Sequence, residues 1–274
     1  MIDAHLHVWD SHRTAYEWLK SAPEQLNRLT SFSEVEPALR AANVDGVVLV
    51  QAANTVSDTL DMFAVDSDLV SGVVAWADLM HPPSAALQIE AWAAEPRFAG
   101  LRHLIHDEPD PDWLARAQVR QSLRLLSESG RAFDVVGVLP RHLELAAELA
   151  DELPDLRIVI DHLGTPDLSA GPRGVWLSRM SDLASRSNVW VKLSGLSTLN
   201  GAANADWSVL EPFVVMALEL FGSERVAFGS DWPVSTTATT YEQTLALAQR
   251  WVAGLSASER ADVMDRSART VYRL

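Results

Sequence analysis

Cysteine is absent from this chain of 274 residues. Disulfides, thiolate metal sites and a cysteine nucleophile are thereby excluded, while the redox compartment stays open. Lysine is nearly absent too, with Lys20 and Lys192 alone among 22 basic residues. Against 37 acidic residues these leave a formal net charge of -15, a field that repels phosphate backbones and anionic lipid, so neither nucleic acid nor a membrane is an expected partner. No apolar run reaches the roughly 18 residues of a membrane span. The opening Met-Ile-Asp-Ala-His lacks the basic and apolar regions of an export signal, and a cytoplasmic protein is the expectation. Also missing are GxGxxG, a P-loop and GxSxG, which removes the usual dinucleotide, nucleoside-triphosphate and serine-hydrolase readings.

Present instead are eight short β-rich apolar runs: Ile2–Trp9, Val44–Val50, Gly72–Ala77, Ala99–Ile105, Ala132–Val138, Arg157–Leu163, Val189–Ser194 and Val226–Asp231. Helical patterns such as Leu143–Leu153 and Tyr241–Leu255 separate them, and Ser33 with Glu36 reads as a capping box opening a helix toward Ala41. Near-continuous Val, Ile and Leu suit parallel strands covered on both faces. No linker or repeat divides the chain, and its length is typical of an α/β barrel at ~250 residues. The expectation is one (β/α)8 TIM-barrel domain over residues 1–274.

Chemistry concentrates at the ends of three runs. In the first, strand alternation puts Asp3, His5, His7 and Trp9 on one face, with the two histidine Cα atoms about 7 Å apart, close enough to share a metal ion or a substrate oxygen. Hydrogen-bonded core histidines would show the same His-x-His. Asp161-His162-Leu163-Gly164 closes the sixth run, where barrels place functional groups. Phe228-Gly229-Ser230-Asp231-Trp232-Pro233 closes the eighth, although an isolated Asp at a strand end is more often a helix cap. Arg102 near the end of the fourth run suits either a carboxylate or hydroxyl clamp or a salt bridge. Lys192 and Ser194 share a face of the seventh run, and Lys192 equally suits an interior functional role or a buried carboxylate pair. Of ten tryptophans, Trp92 and Trp251 fall in helical patterns as packing, whereas Trp9 and Trp232 follow the His and Asp motifs as candidate pocket walls.

Together these features resemble the amidohydrolase superfamily, and its lactonase branch in particular. The likeness extends over GLRH (Gly100–His103), HDEPDPDW (His106–Trp113), PRHLE (Pro140–Glu144), VIDHLG (Val159–Gly164), VKLSGL (Val191–Leu196) and FGSDWPV (Phe228–Val234). Within the branch the fuconolactonase and rhamnonolactonase types are the most similar. The resemblance implies a small sugar lactone as the partner molecule, with homo-oligomerisation left open. On this reading Asp231 is expected to serve as general base for water while His5, His7 and His162 polarise the carbonyl, with Arg102, His103, Trp9, Trp232, Lys192 and Ser194 as the candidate substrate-holding residues. A lactone carbonyl is electrophilic enough for a base and an oxyanion site to suffice.

Metal-dependent members of the superfamily add a histidine from strand five or a bridging residue from strand four. Strand five here carries no histidine, with His142, His103 and His106 nearby as substitutes. No cofactor is expected to be required, and a divalent metal such as zinc, held by His5, His7 and Asp231, is the optional addition. Three other readings share the motifs: a metal-dependent decarboxylase, a hydrolase of a carboxylated lactone of the pyrone or muconolactone type, and a barrel that binds a sugar acid without turnover. The lack of an evident arginine battery favours a neutral sugar lactone.

Overall fold

Runs of Val, Ile and Ala form eight parallel strands in the computed structural model, which describes residues 1–200 and 207–274. The strands are β1 (Ile2–Leu6), β2 (Gly46–Val50), β3 (Val70–Ala75), β4 (Phe98–His103), β5 (Ala132–Val135), β6 (Arg157–Ile160), β7 (Val189–Leu193) and β8 (Val226–Phe228), neighbours in that order. Helices α1 (Phe32–Ala41), α2 (Val56–Phe63), α3 (Pro82–Ala93), α4 (Ala117–Glu128), α5 (Pro140–Glu152), α6 (Val175–Ala184), α7 (Leu196–Asn200), α8 (Glu211–Phe221), α9 (Tyr241–Trp251), α10 (Ala257–Ala261) and α11 (Ser267–Tyr272) fill the intervals and the C-terminus. The architecture is the (β/α)8 barrel that the alternation of runs implied.

Both faces of the sheet are buried. One apolar cluster takes a residue from every strand, Ala4, Val50, Val74, Ala99, Ala132, Val159, Trp190 and Ala227, and therefore occupies the barrel axis. Val271 and Tyr272 of α11 join it, and Leu274 lies against Gly72 near the start of β3, so the C-terminus plugs the N-terminal end of the barrel. A larger cluster, including Leu49, Leu101, Phe133 and Ile158, packs outward against the helices. Each fully buried Leu, Val or Phe contributes roughly 1.5–3 kcal/mol by leaving water.

The barrel closes along a seam between β1 and β8. His7 N donates to Trp232 O at 2.8 Å, Asp231 N to His5 O at 2.8 Å, and Ser230 N to Asp3 Oδ1 at 2.8 Å. Residues of the first and third sequence motifs thus carry the closing bonds.

Three local expectations need correction. The sixth and eighth strands end before their apolar runs do, because His162 and Asp231 adopt left-handed φ values of 54° and 58° that end the extended backbone before them. Simple alternation also fails in β1, whose register against β2 shifts between Asp3 and Leu6. Ala4 packs in the axial cluster, Asp3 turns to Ser230, and His5, the next residue, enters the barrel mouth, as a bulge permits. Finally, the helix toward Ala41 opens at Ser31, whose N donates to Glu34 Oε1 at 2.9 Å, rather than at Ser33. Thr30 is still bridged to Trp9, which keeps the chain extended up to that point.

Asp3 is fully buried, and burial pushes its carboxyl up to about 6 against the pull of its bonds to Ser230 and His5. The unfolded chain ionises Asp3 near pH 4, so the stability it contributes is complete below that value and is lost as pH rises to about 6. Asp3→Asn keeps an oxygen for the two backbone donors and removes the buried charge. Urea denaturation across this range is expected to show a shallower loss of stability for Asp3→Asn than for the parent; parallel curves would refute the burial argument.

Candidate active site

The C-terminal mouth of the barrel holds a cavity of about 370 Å3, within the range of small-molecule sites. Its lining comes from the ends of seven strands: His7 and Trp18, Ala52, Arg102 with Leu104 and His106, Val136 with Val138, His162 with Thr165, Gly195 with Thr198 and Leu199, and Asp231 with Val234. The left-handed turns at His162 and Asp231 swing both residues off their strands toward this space. Such a conformation is costly for a non-glycine residue and persists only where the surroundings impose it. For Asp231 they do so through its own N–H to His5 O and through Ser235 N–H to its carbonyl, each 2.8 Å.

His5 sits beneath the cavity with no exposed surface. Its Nε2 is 3.1 Å from Nε2 of His7 and 3.7 Å from Asp231 Oδ1, while His7 Nε2 is 3.5 Å from the same oxygen. The His162 ring meets His5 edge-on with centroids 4.7 Å apart, and Nδ1 of His162 is 2.9 Å from Ser194 Oγ. Three imidazoles and one carboxylate therefore converge. Burial, reinforced by the Lys192 charge, holds His5 well below its ordinary pKa, and burial lowers His7 against the opposing bond to Asp231. Both rings are neutral at neutral pH. His7 Nδ1 lies 2.7 Å from the Val50 carbonyl, which only accepts, so His7 turns a lone pair toward the site.

Under the cavity floor lies a layer of charge. Arg102 Nη1 donates to Asp161 Oδ2 at 3.0 Å, and its Nη2 donates to Gln51 O. Lys192 Nζ donates to Asp134 Oδ2 at 2.6 Å and lies 3.1 Å from Asp161 Oδ1. Burial alone would raise Asp161, but Lys192, His5 and Arg102 outweigh it and hold Asp161 well below the usual carboxylate range. Burial pushes Asp134 up to about 6, which still leaves it ionised at neutral pH.

The expected substrate-holding residues divide. Arg102 lines the cavity, Ser194 touches His162, and Lys192 touches His5 from below. His103 does not line it: the ring stacks on Trp113 at 4.0 Å and bonds Glu108 and Trp76, so its nitrogens are spent on packing loops together. Trp9 and Trp232 are likewise outside the lining. Trp9 donates to Leu26 O and Arg28 O within a separate apolar cluster, and Trp232 borders a groove beside α9. Trp9 instead buttresses Trp18, edge-on at 5.2 Å, and Trp18 is the indole at the cavity. Trp18, Asp134 and the structural part of Asp161 went unassigned in the sequence, and His106, expected only as a substitute metal histidine, lines the cavity. Only the Asp161-His162 adjacency offered a signal.

Ligand atoms of His5, His162 and Asp231 lie within 4.8 Å of one another, a spacing that admits a divalent cation. Polarity is the stricter test. A His5 ligand has to present the Nε2 lone pair and so carry its hydrogen on Nδ1, but Nδ1 faces the Lys192 ammonium at 2.9 Å. Arg102 Nη1 stands a further 3.4 Å from Nε2. A metal held through His5 does not fit these residues.

A family model described as amidohydrolase matches residues 2–274. An L-fucono-1,5-lactonase of Burkholderia ambifaria is 36% identical over 86% of this chain and 81% of its own length. Another L-fucono-1,5-lactonase, from Burkholderia multivorans, is 29% identical over all of this chain and 96% of its own. Two crystal structures of an amidohydrolase from Burkholderia multivorans, one with HEPES and one with zinc, superpose with TM-scores of 0.91 and 0.89 at 29% identity, covering 100% of this chain and 99% of theirs.

Gly195 has φ of +65°, and an added Cβ would collide with Nδ1 of His162. Gly195→Ala is expected to cost about 1–3 kcal/mol in urea denaturation, from backbone strain and displacement of the ring. An unchanged midpoint would show that His162 is not confined in this way.

Proposed function

Because the chain belongs to the amidohydrolase family, we propose that it hydrolyses a neutral sugar lactone, an L-fuconolactone-like ring, to the open sugar acid. The observation that carries this reading is the convergence of Asp231 with His5, His7 and His162 on a cavity in which Arg102 is the one Arg or Lys among the described lining residues. That guanidinium is already engaged by Asp161 and Gln51. A substrate carboxylate would lack a free cationic clamp, which favours a neutral ring over a pyrone or muconolactone type. The two lactonase relatives support the same class.

In the proposed reaction Asp231 takes a proton from water as the water oxygen bonds to the lactone carbonyl carbon. The carbonyl π pair moves onto oxygen, and the developing oxyanion is met by N–H donors of His5 and His162 with the Arg102 charge behind them. His7, whose inward nitrogen carries a lone pair, accepts the His5 hydrogen until the oxyanion takes it over, and then accepts from water. When the carbonyl re-forms, the ring C–O bond breaks and the leaving oxygen takes the proton from Asp231. One water is added, one ring is opened, and the carboxylate is restored. No step is assigned to a metal.

A pH-indicator screen of aldonolactones, with and without chelator, is expected to show hydrolysis of neutral sugar lactones that survives chelation. Loss of all turnover with chelator, restored by zinc, would overturn the metal-free half of the proposal. Asp231→Asn should lower kcat by roughly a thousandfold, and near-native turnover would remove Asp231 from the role of base. Trp18→Ala takes an indole from the cavity and is expected to raise KM roughly tenfold with little change in kcat, by steady-state kinetics on the best lactone.

A further inference from the structure

Lys192 is fully buried on β7 and lies below the cavity lining, yet it touches the most deeply placed imidazole of the site. An ammonium has only hydrogens to offer, so at 2.9 Å Nδ1 of His5 is the acceptor. The one hydrogen of the neutral ring is then left on Nε2, 3.1 Å from the lone pair of His7. Donor meets acceptor throughout, from Lys192 to His5 to His7 to the Val50 carbonyl, at 2.9, 3.1 and 2.7 Å. The opposite assignment sets hydrogen against hydrogen at Lys192 and lone pair against lone pair at His7. In its favour stand Asp161 Oδ1, 3.3 Å from Nδ1, and Arg102 Nη1, 3.4 Å from Nε2, both beyond the ordinary hydrogen-bond range. Two short contacts outweigh two long ones.

We propose that Lys192 is a positioning residue that keeps the hydrogen of His5 on Nε2, where it is donated to His7 at the cavity edge and leaves Nε2 no lone pair for a metal ion. Lys192 is itself fixed: Asp134 accepts from it, and Tyr272 Oη, donating to the same carboxylate at 2.9 Å, holds Asp134 from the far side. With the hydrogen already on Nε2, His5 needs no change of tautomer to turn it from His7 to a substrate oxygen on which negative charge develops. The catalytic half of this proposal rests on the lactonase reading above. The placement of the hydrogen rests on geometry alone.

The deciding measurement is the ring 15N spectrum of the full chain labelled in histidine, at neutral pH, with the His5 signals identified by their loss in His5→Gln. A protonated Nε2 and an unprotonated, hydrogen-bonded Nδ1 are expected, and a hydrogen on Nδ1 overturns the proposal. A second measurement uses Lys192→Met combined with Asp134→Asn, which removes one charge of each sign. Zinc affinity by calorimetry should rise on the order of tenfold or more over the parent, and kcat should fall with KM nearly unchanged. A folded double variant with parental zinc affinity overturns the proposal, whereas for one that does not fold the parental spectrum decides alone. If no lactone is turned over while Nε2 still carries the hydrogen, the lactonase reading fails and the role of Lys192 stands.

Discussion

Two carboxylates, an ammonium and a guanidinium share the interior of a barrel whose axis is otherwise apolar, and the site above them depends on their mutual neutralisation. An isolated ion so placed would cost several kcal/mol, and even a good pair does little better than break even against an apolar replacement. Asp134 and Asp161 against Lys192 and Arg102 balance to zero, with Tyr272 supplying a further hydrogen bond. Such an arrangement adds little to stability. What it supplies is orientation: each charged group fixes the next, and the last of them touch His5.

Fold and site are also joined at the seam. The bonds that close β8 onto β1 join the backbones of His5, His7, Asp231 and Trp232, with the Asp3 carboxylate accepting from Ser230 N, so Asp231 and two imidazoles are placed by the closure that makes the barrel a barrel. The walls are made differently. Trp18, Leu104 and Val138 reach the cavity from loops above the strands and Leu199 from α7, and these set its apolar character. Membership of the amidohydrolase family agrees with this division, since one strand-end framework can serve different substrates through different loops.

Much of this was legible in the chain before folding. Eight β-rich runs alternating with helical patterns define a parallel barrel, because the period of apolar residues records which faces are covered. His-x-His, Asp161-His162 and Gly-Ser-Asp231 at the ends of runs one, six and eight marked the four converging side chains, because strand ends in such a barrel meet at one mouth. The absence of cysteine and of phosphate-binding glycine motifs narrowed the chemistry further. Direction and partnership were not legible. Adjacency to a motif suggested Trp9, Trp232 and His103 as cavity groups, yet the β1 irregularity re-aims Trp9, the left-handed turn at Asp231 re-aims Trp232, and His103 follows the cavity-lining Arg102 on the same strand and faces the other way, so all three pack elsewhere. Trp18 reaches the cavity from a loop with no periodic pattern to betray it. The sequence by itself determined that histidines and an aspartate would gather at the end of a closed parallel barrel. Only the tertiary structure decided which nitrogen of His5 faces the cavity and what stands behind it, because hydrogen-bond polarity is set by Lys192, 187 residues away in the chain and 2.9 Å away in space.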